Sequence, residues 1–123
     1  MPTILDNLTT LRALIARTPD SNVYLNSYTE VRDCGTLHCT LGWAAVSGLF
    51  PRISLEDGSP ALDGAGRSYS GTAYDELFGP KSWQLFAAKL DSSLDGQVYE
   101  EGQTHKQLAL ARIDYRIMEL QNV

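Results

Sequence analysis

The chain of 123 residues is poor in the side chains from which conspicuous sites are usually built, with two cysteines, two histidines and two tryptophans. Two cysteines cannot supply the several bridges that staple a small secreted domain, so the fold is expected to rest on a hydrophobic core. Positive charge is scarce too: ten Lys and Arg stand against fifteen Asp and Glu, a formal net charge of -5. Affinity for nucleic acid is built from cations held against phosphates, so this balance disfavours nucleic acid as a partner. No apolar stretch is long enough to cross a bilayer, and Met1-Pro2-Thr3-Ile4-Leu5-Asp6 lacks the basic start and apolar run of a signal peptide. The expectation is a cytoplasmic protein, without membrane association, whose cysteines are thiols.

What is present reads as one globular domain over residues 1–123. A hydrophobic fraction of 43% and a charged fraction of 20% are ordinary for a folded chain, and no linker, repeat or low-complexity tract divides it. Ile4, Leu8, Leu11 and Ile15 recur at helical spacing between a capping Thr3 and a terminating Pro19. From Leu37 to Phe50 only His38, Thr40 and Ser47 are clearly polar, which predicts a helix, capped by Asp33 or Thr36, apolar nearly all round and belonging in the interior. Residues 53–62 alternate apolar and polar around Asp57-Gly58, the pattern of a tight hairpin. Tyr74, Leu77 and Phe78 suggest a short helix stopped by Gly79-Pro80, and Trp83, Phe86, Ala87 and Leu90 a fourth. A last helix starts at the capping box Thr104/Gln107 and carries the stripe Leu110, Ile113, Ile117 and Leu120. The expected fold class is α+β, mainly helical: a central apolar helix packed by amphipathic helices, with one small β-hairpin.

Chemistry concentrates in residues 33–45, which hold both cysteines, one histidine and one tryptophan. A thiol near a helix N-terminus gains thiolate character, so a nucleophilic reading takes Cys39 with His105 as base and Asp114 orienting it. Against it, a free buried cysteine usually serves as a small apolar side chain. Cys34, His38, Cys39 and His105 equal the ligand number of a closed zinc site. The spacing is unusual for such a site, and consecutive residues of a helix point about 100° apart, so no metal is expected. Gly42 fits close packing, and Trp43 and Trp83 fit core anchors.

The run Cys34-Gly35-Thr36-Leu37-His38-Cys39-Thr40-Leu41-Gly42-Trp43-Ala44 resembles a Cys-Gly-Thr-x-x-Cys-x-x-Gly-(His/Trp)-Ala signature of short proteins from bacteriophages, prophages and some bacteria. The similarity extends to Tyr24 and Tyr28 upstream, to Leu77-Phe78-Gly79 followed by Trp83, and to a Thr-led last helix with Ala111-Arg112-Ile113-Asp114. It implies a phage origin and a shared fold, but carries no reaction, cofactor or catalytic residue. Cys34, Gly35, Thr36, Cys39, Gly42 and Trp43 are accordingly read as a structural motif, and His38 falls where the signature leaves the residue free.

Small phage proteins commonly act by binding. The resemblance therefore implies a noncatalytic protein that inhibits or redirects a host factor, in counter-defence or host takeover, in the host cytosol and without a cofactor. Loops on a rigid scaffold carry recognition, which points to Asp63, Gly64, Arg67 and Tyr69 in a glycine-rich loop and to Asp95, Tyr99, Glu100 and Glu101 in an acidic one. The alternatives are a thiol-dependent enzyme using Cys39 and His105, and sequestration of a small signalling ligand.

Overall fold

The computed structural model describes residues 3–23, 29–32, 35–38, 40–56, 59–62, 72–86 and 104–122. Helix α1 (Ile4–Arg17) starts at a reciprocal cap: the Thr3 hydroxyl accepts the Asp6 N–H at 3.1 Å, and the Asp6 carboxylate accepts the Thr3 N–H at 3.0 Å. The Thr3 N–H, and to a lesser degree the Thr3 hydroxyl, hold the Asp6 carboxyl below its ordinary pKa. Pro19 closes the helix and leads into a 3₁₀ turn at Asp20–Asn22. Helix α5 (His105–Gln121) repeats the device, with Thr104 and Gln107 exchanging bonds of 3.0 Å.

Between them the described residues form two antiparallel ribbons and three short helices. Strands β1 (Thr29–Arg32) and β2 (Gly35–His38) pair with Glu30 opposite Leu37 and Val31 opposite Thr36. Helix α2 (Thr40–Ser47) follows and stops at Gly48, whose φ of 74° a side chain would resist. Strands β3 (Ile53–Glu56) and β4 (Ser59–Leu62) pair with Ile53 opposite Leu62. Helices α3 (Thr72–Phe78) and α4 (Trp83–Phe86) are joined by a turn in which Gly79 has a φ of 92°. Among the described residues no helix is long and apolar enough to cross a membrane.

The described elements are mainly helical, and a cluster of buried side chains joins the five helices and Ile53 of β3. Leu8, Leu11 and Ile15 of α1 meet Leu108, Ala109 and Ile113 of α5, while Leu41 and Ala44 enter from α2 and Tyr74 and Phe78 from α3. Phe50 and Phe78 close the cluster edge-on, with centroids 5.4 Å apart at 64°. Helices α1 and α5 run antiparallel, since Arg12 reaches Asp114 whereas Lys106 Nζ donates to the Ala16 carbonyl at 2.8 Å.

Two expectations need correction. Gly35, Thr36, Leu37 and His38 are strand, so the helix begins at Thr40 and Thr36 does not cap it. Pairing with β1 satisfies the backbone groups of Leu37 and His38 across a ribbon, where an isolated reading of apolar content sees only helix. The described residues therefore contain two ribbons where one was expected. Nor is α2 enclosed on every side: Thr40, Leu41, Gly42 and Ala44 are buried, but Val46 is 43% exposed.

Tyr74 is 2% exposed, and its burial raises the phenol pKa above 10.0. In the unfolded chain the phenol ionises first, so the unfolded state binds fewer protons above that pH and folding weakens as pH rises through the folded-state value. Urea midpoints measured between about pH 9 and about pH 11 are expected to fall more steeply for the native sequence than for Tyr74→Phe. Parallel curves would show that this phenol is not protected.

Candidate functional site

The cysteine motif straddles a strand-to-helix junction. The pairing of Arg32 with Gly35 places Gly35 and Thr36 in β2, and Gly42 and Trp43 lie in α2. Trp43 is half-buried, and its indole N–H donates to the Asn22 carbonyl at 2.9 Å, tying α2 to the 3₁₀ turn. Cys34 and Cys39, like Asp33, Tyr24 and Tyr28, lie outside the described residues.

The proposed orienting pair is not assembled. His105 and Asp114 are nine positions apart on α5, which separates them by about 13 Å along the axis and turns them to opposite sides of the helix. Asp114 instead accepts Arg12 Nε at 2.5 Å and Arg12 Nη2 at 3.4 Å, and this partner raises the Arg12 pKa. The carboxylate thus serves as a clasp between α1 and α5. Among the described residues no group of three or more His, Cys, Asp and Glu is placed to hold a metal. His38 ends a strand, so the helical angle between His38 and Cys39 does not apply.

Two guanidinium groups turn inward from α5, a feature the apolar stripe does not announce. Arg112 is 3% exposed and Arg116 8%. Their signal lies in spacing: Arg116 stands three residues after Ile113 and four before Leu120, so the stripe encloses it. Arg116 Nη1 donates to Glu119 Oε1 at 2.7 Å, and Nη2 donates to the buried Gln84 of α4. A second polar contact fixes the turn before α4, where Asp75 Oδ1 accepts both the Ser82 hydroxyl at 2.5 Å and the Ser82 N–H at 3.2 Å. Lys81 in this turn has a φ of 60°, the left-handed region that side chains other than glycine rarely occupy.

A groove of about 490 Å³ opens between α1, α3 and the segment after α2. Leu49, Phe50 and Leu77 give it apolar walls, and Arg52 and Glu76 face each other across the rim at 4.0 Å. Asn7 Nδ2 donates to the Leu77 carbonyl at 2.9 Å and joins two walls. Leu49 is 43% exposed although it borders the core residue Phe50. The loop residues expected to bind, Asp63, Gly64, Arg67, Tyr69, Asp95, Tyr99, Glu100 and Glu101, lie outside the described residues. Sequence reading missed the groove because its walls come from segments some seventy residues apart, such as Asn7 and Leu77.

No protein-family model, characterised protein or solved structure matches the chain.

If Cys39 is only a packed thiol, a Cys39→Ser protein keeps its biological effect and the native thiols react with a maleimide no faster than cysteine in a denatured control. Loss of effect in a folded Cys39→Ser variant, together with labelling that follows a lowered thiol pKa, would restore the nucleophilic reading.

Proposed function

We propose that this chain is a noncatalytic binding protein that docks a partner protein in the groove between α1 and α3. The carrying observation is the groove itself, apolar in its walls, bordered by the exposed Leu49 and crossed by an exposed ion pair. Its occupant is an extended segment of the partner with one large apolar side chain for the Phe50–Leu77 wall and a charged residue on either flank. Exposed pairs such as Arg52–Glu76 contribute little to folding, so rearranging this pair around a bound segment costs little. Burying an apolar anchor supplies the affinity, and the flanking charges supply register.

The motif resemblance extends this reading: the partner is a host factor that a phage-type protein inhibits or redirects in the cytosol. Counter-defence and host takeover are the settings in which such a protein acts. Asp114, drawn onto Arg12, gives the alternative thiol enzyme no support.

The test pairs capture with substitution at the exposed rim. Native protein is expected to retain one host protein at equal stoichiometry, and Leu49→Asp to lose it while keeping the native circular dichroism spectrum. Placing a carboxylate against the apolar anchor costs about 2 kcal/mol or more, enough to weaken binding some thirtyfold. An exposed substitution on α1, Ala13→Asp, serves as control and leaves capture intact. Equal capture by Leu49→Asp and the native protein would remove the groove from the account.

A further inference from the structure

We propose that a second cavity, between the α3–α4 turn and the last turns of α5, binds a small amphipathic anion: a phosphate or carboxylate on Arg116 and Lys81, carried on an apolar body. The cavity measures about 260 Å³. Phe78, Pro80 and Leu120 line its apolar side, and Lys81, Arg116 and Glu119 its polar side. That volume lies just below the roughly 300–1,000 Å³ of sites for drug-sized ligands, so the occupant is about one ring or short chain with a single charged group.

Three observations give this cavity the character of a built site. Arg116 is almost wholly buried yet forms part of the wall, and Gln84 and Glu119 hold its guanidinium in place before any ligand arrives. A guanidinium so fixed loses little freedom on pairing with a phosphate or carboxylate, whose planar or forked oxygens it meets two at a time. Next, the turn carrying Lys81 is stiff: Asp75 grips Ser82 through two bonds, and a Cβ at Gly79 would meet Ile4 Cγ2 at 3.3 Å. Last, the chain keeps a lysine at a φ of 60°, where glycine would sit without steric strain, and that residue lines the cavity. Glu119 neutralises Arg116 in the free protein and accepts a hydroxyl or amino donor from the ligand once the anion has joined the two cations.

This site is separate from the groove, since the two share none of their lining residues, and its test does not depend on the partner protein. Phenyl phosphate is the probe, titrated into the ¹⁵N-labelled full chain with inorganic phosphate and benzyl alcohol in parallel. Saturable shifts are expected at the amides of Lys81, Arg116 and Leu120 and at the Arg116 Nε–H. Inorganic phosphate and benzyl alcohol, each carrying half of the recognition, are expected to bind about tenfold more weakly. Lys81→Gly keeps the turn, because glycine adopts its backbone angle freely, and is expected to weaken phenyl phosphate about tenfold. Arg116→Gln is expected to abolish the shifts; should it fail to fold, Lys81→Gly alone decides. No saturable shift at these residues, equal binding of benzyl alcohol and phenyl phosphate, or unchanged affinity in Lys81→Gly would each overturn the proposal.

Discussion

A guanidinium cannot be left alone inside a small acidic protein, and much of this architecture follows from how Arg116 is accommodated. Removing an ion from water costs several kcal/mol even after the surroundings relax, so the charge persists only where hydrogen-bonding partners surround it. Glu119 on the same helix supplies the countercharge, and Gln84 supplies a neutral acceptor from another element. The second contact has the larger structural consequence. It fixes α4 against α5, and through the turn clasped by Asp75 and Ser82 it sets the end of α3 as well.

The same geometry sorts the candidate chemistry. Asp114 belongs to the seam between α1 and α5 because Arg12 is opposite it, and helix periodicity then turns it away from His105. A carboxylate committed to an interhelical pair does not orient an imidazole over 10 Å away. What the fold offers instead are concave surfaces: an apolar groove on one side of α3 and a cationic cavity at its C-terminal turn. Both depend on the C-terminal half of α3 being held, by Asn7 at the Leu77 carbonyl and by Ser82 at Asp75. The proposed recognition thus rests on elements whose positions the core and its polar contacts already determine.

Local signals were legible in the sequence where local physics decides the outcome. The capping Thr3 announces α1 and the box of Thr104 with Gln107 announces α5, and both caps form. Gly79 marks the end of α3 because it supplies a positive φ. The helix expected from Leu37 failed where a neighbouring segment competes: Thr29–Arg32 offers strand pairing to Gly35–His38, and neither segment proclaims it alone. Arg112 and Arg116 were hidden for a related reason, since arginine is ordinarily a surface residue and only the surrounding helices reveal which face turns inward. The groove and the cavity were illegible altogether, because their walls join residues distant along the chain.

The Arg116–Gln84 contact holds the α4–α5 seam, and a double-mutant cycle with Arg116→Met and Gln84→Met, read by urea denaturation, measures it directly. Each single change takes one hydrogen-bonding partner from a buried polar group and is expected to cost about 1–3 kcal/mol, whereas the double variant recovers to within about 1 kcal/mol of the native protein because apolar groups then face each other. Additive losses in the double variant would show that Arg116 and Gln84 do not depend on one another, and that the α4–α5 seam is held by something else.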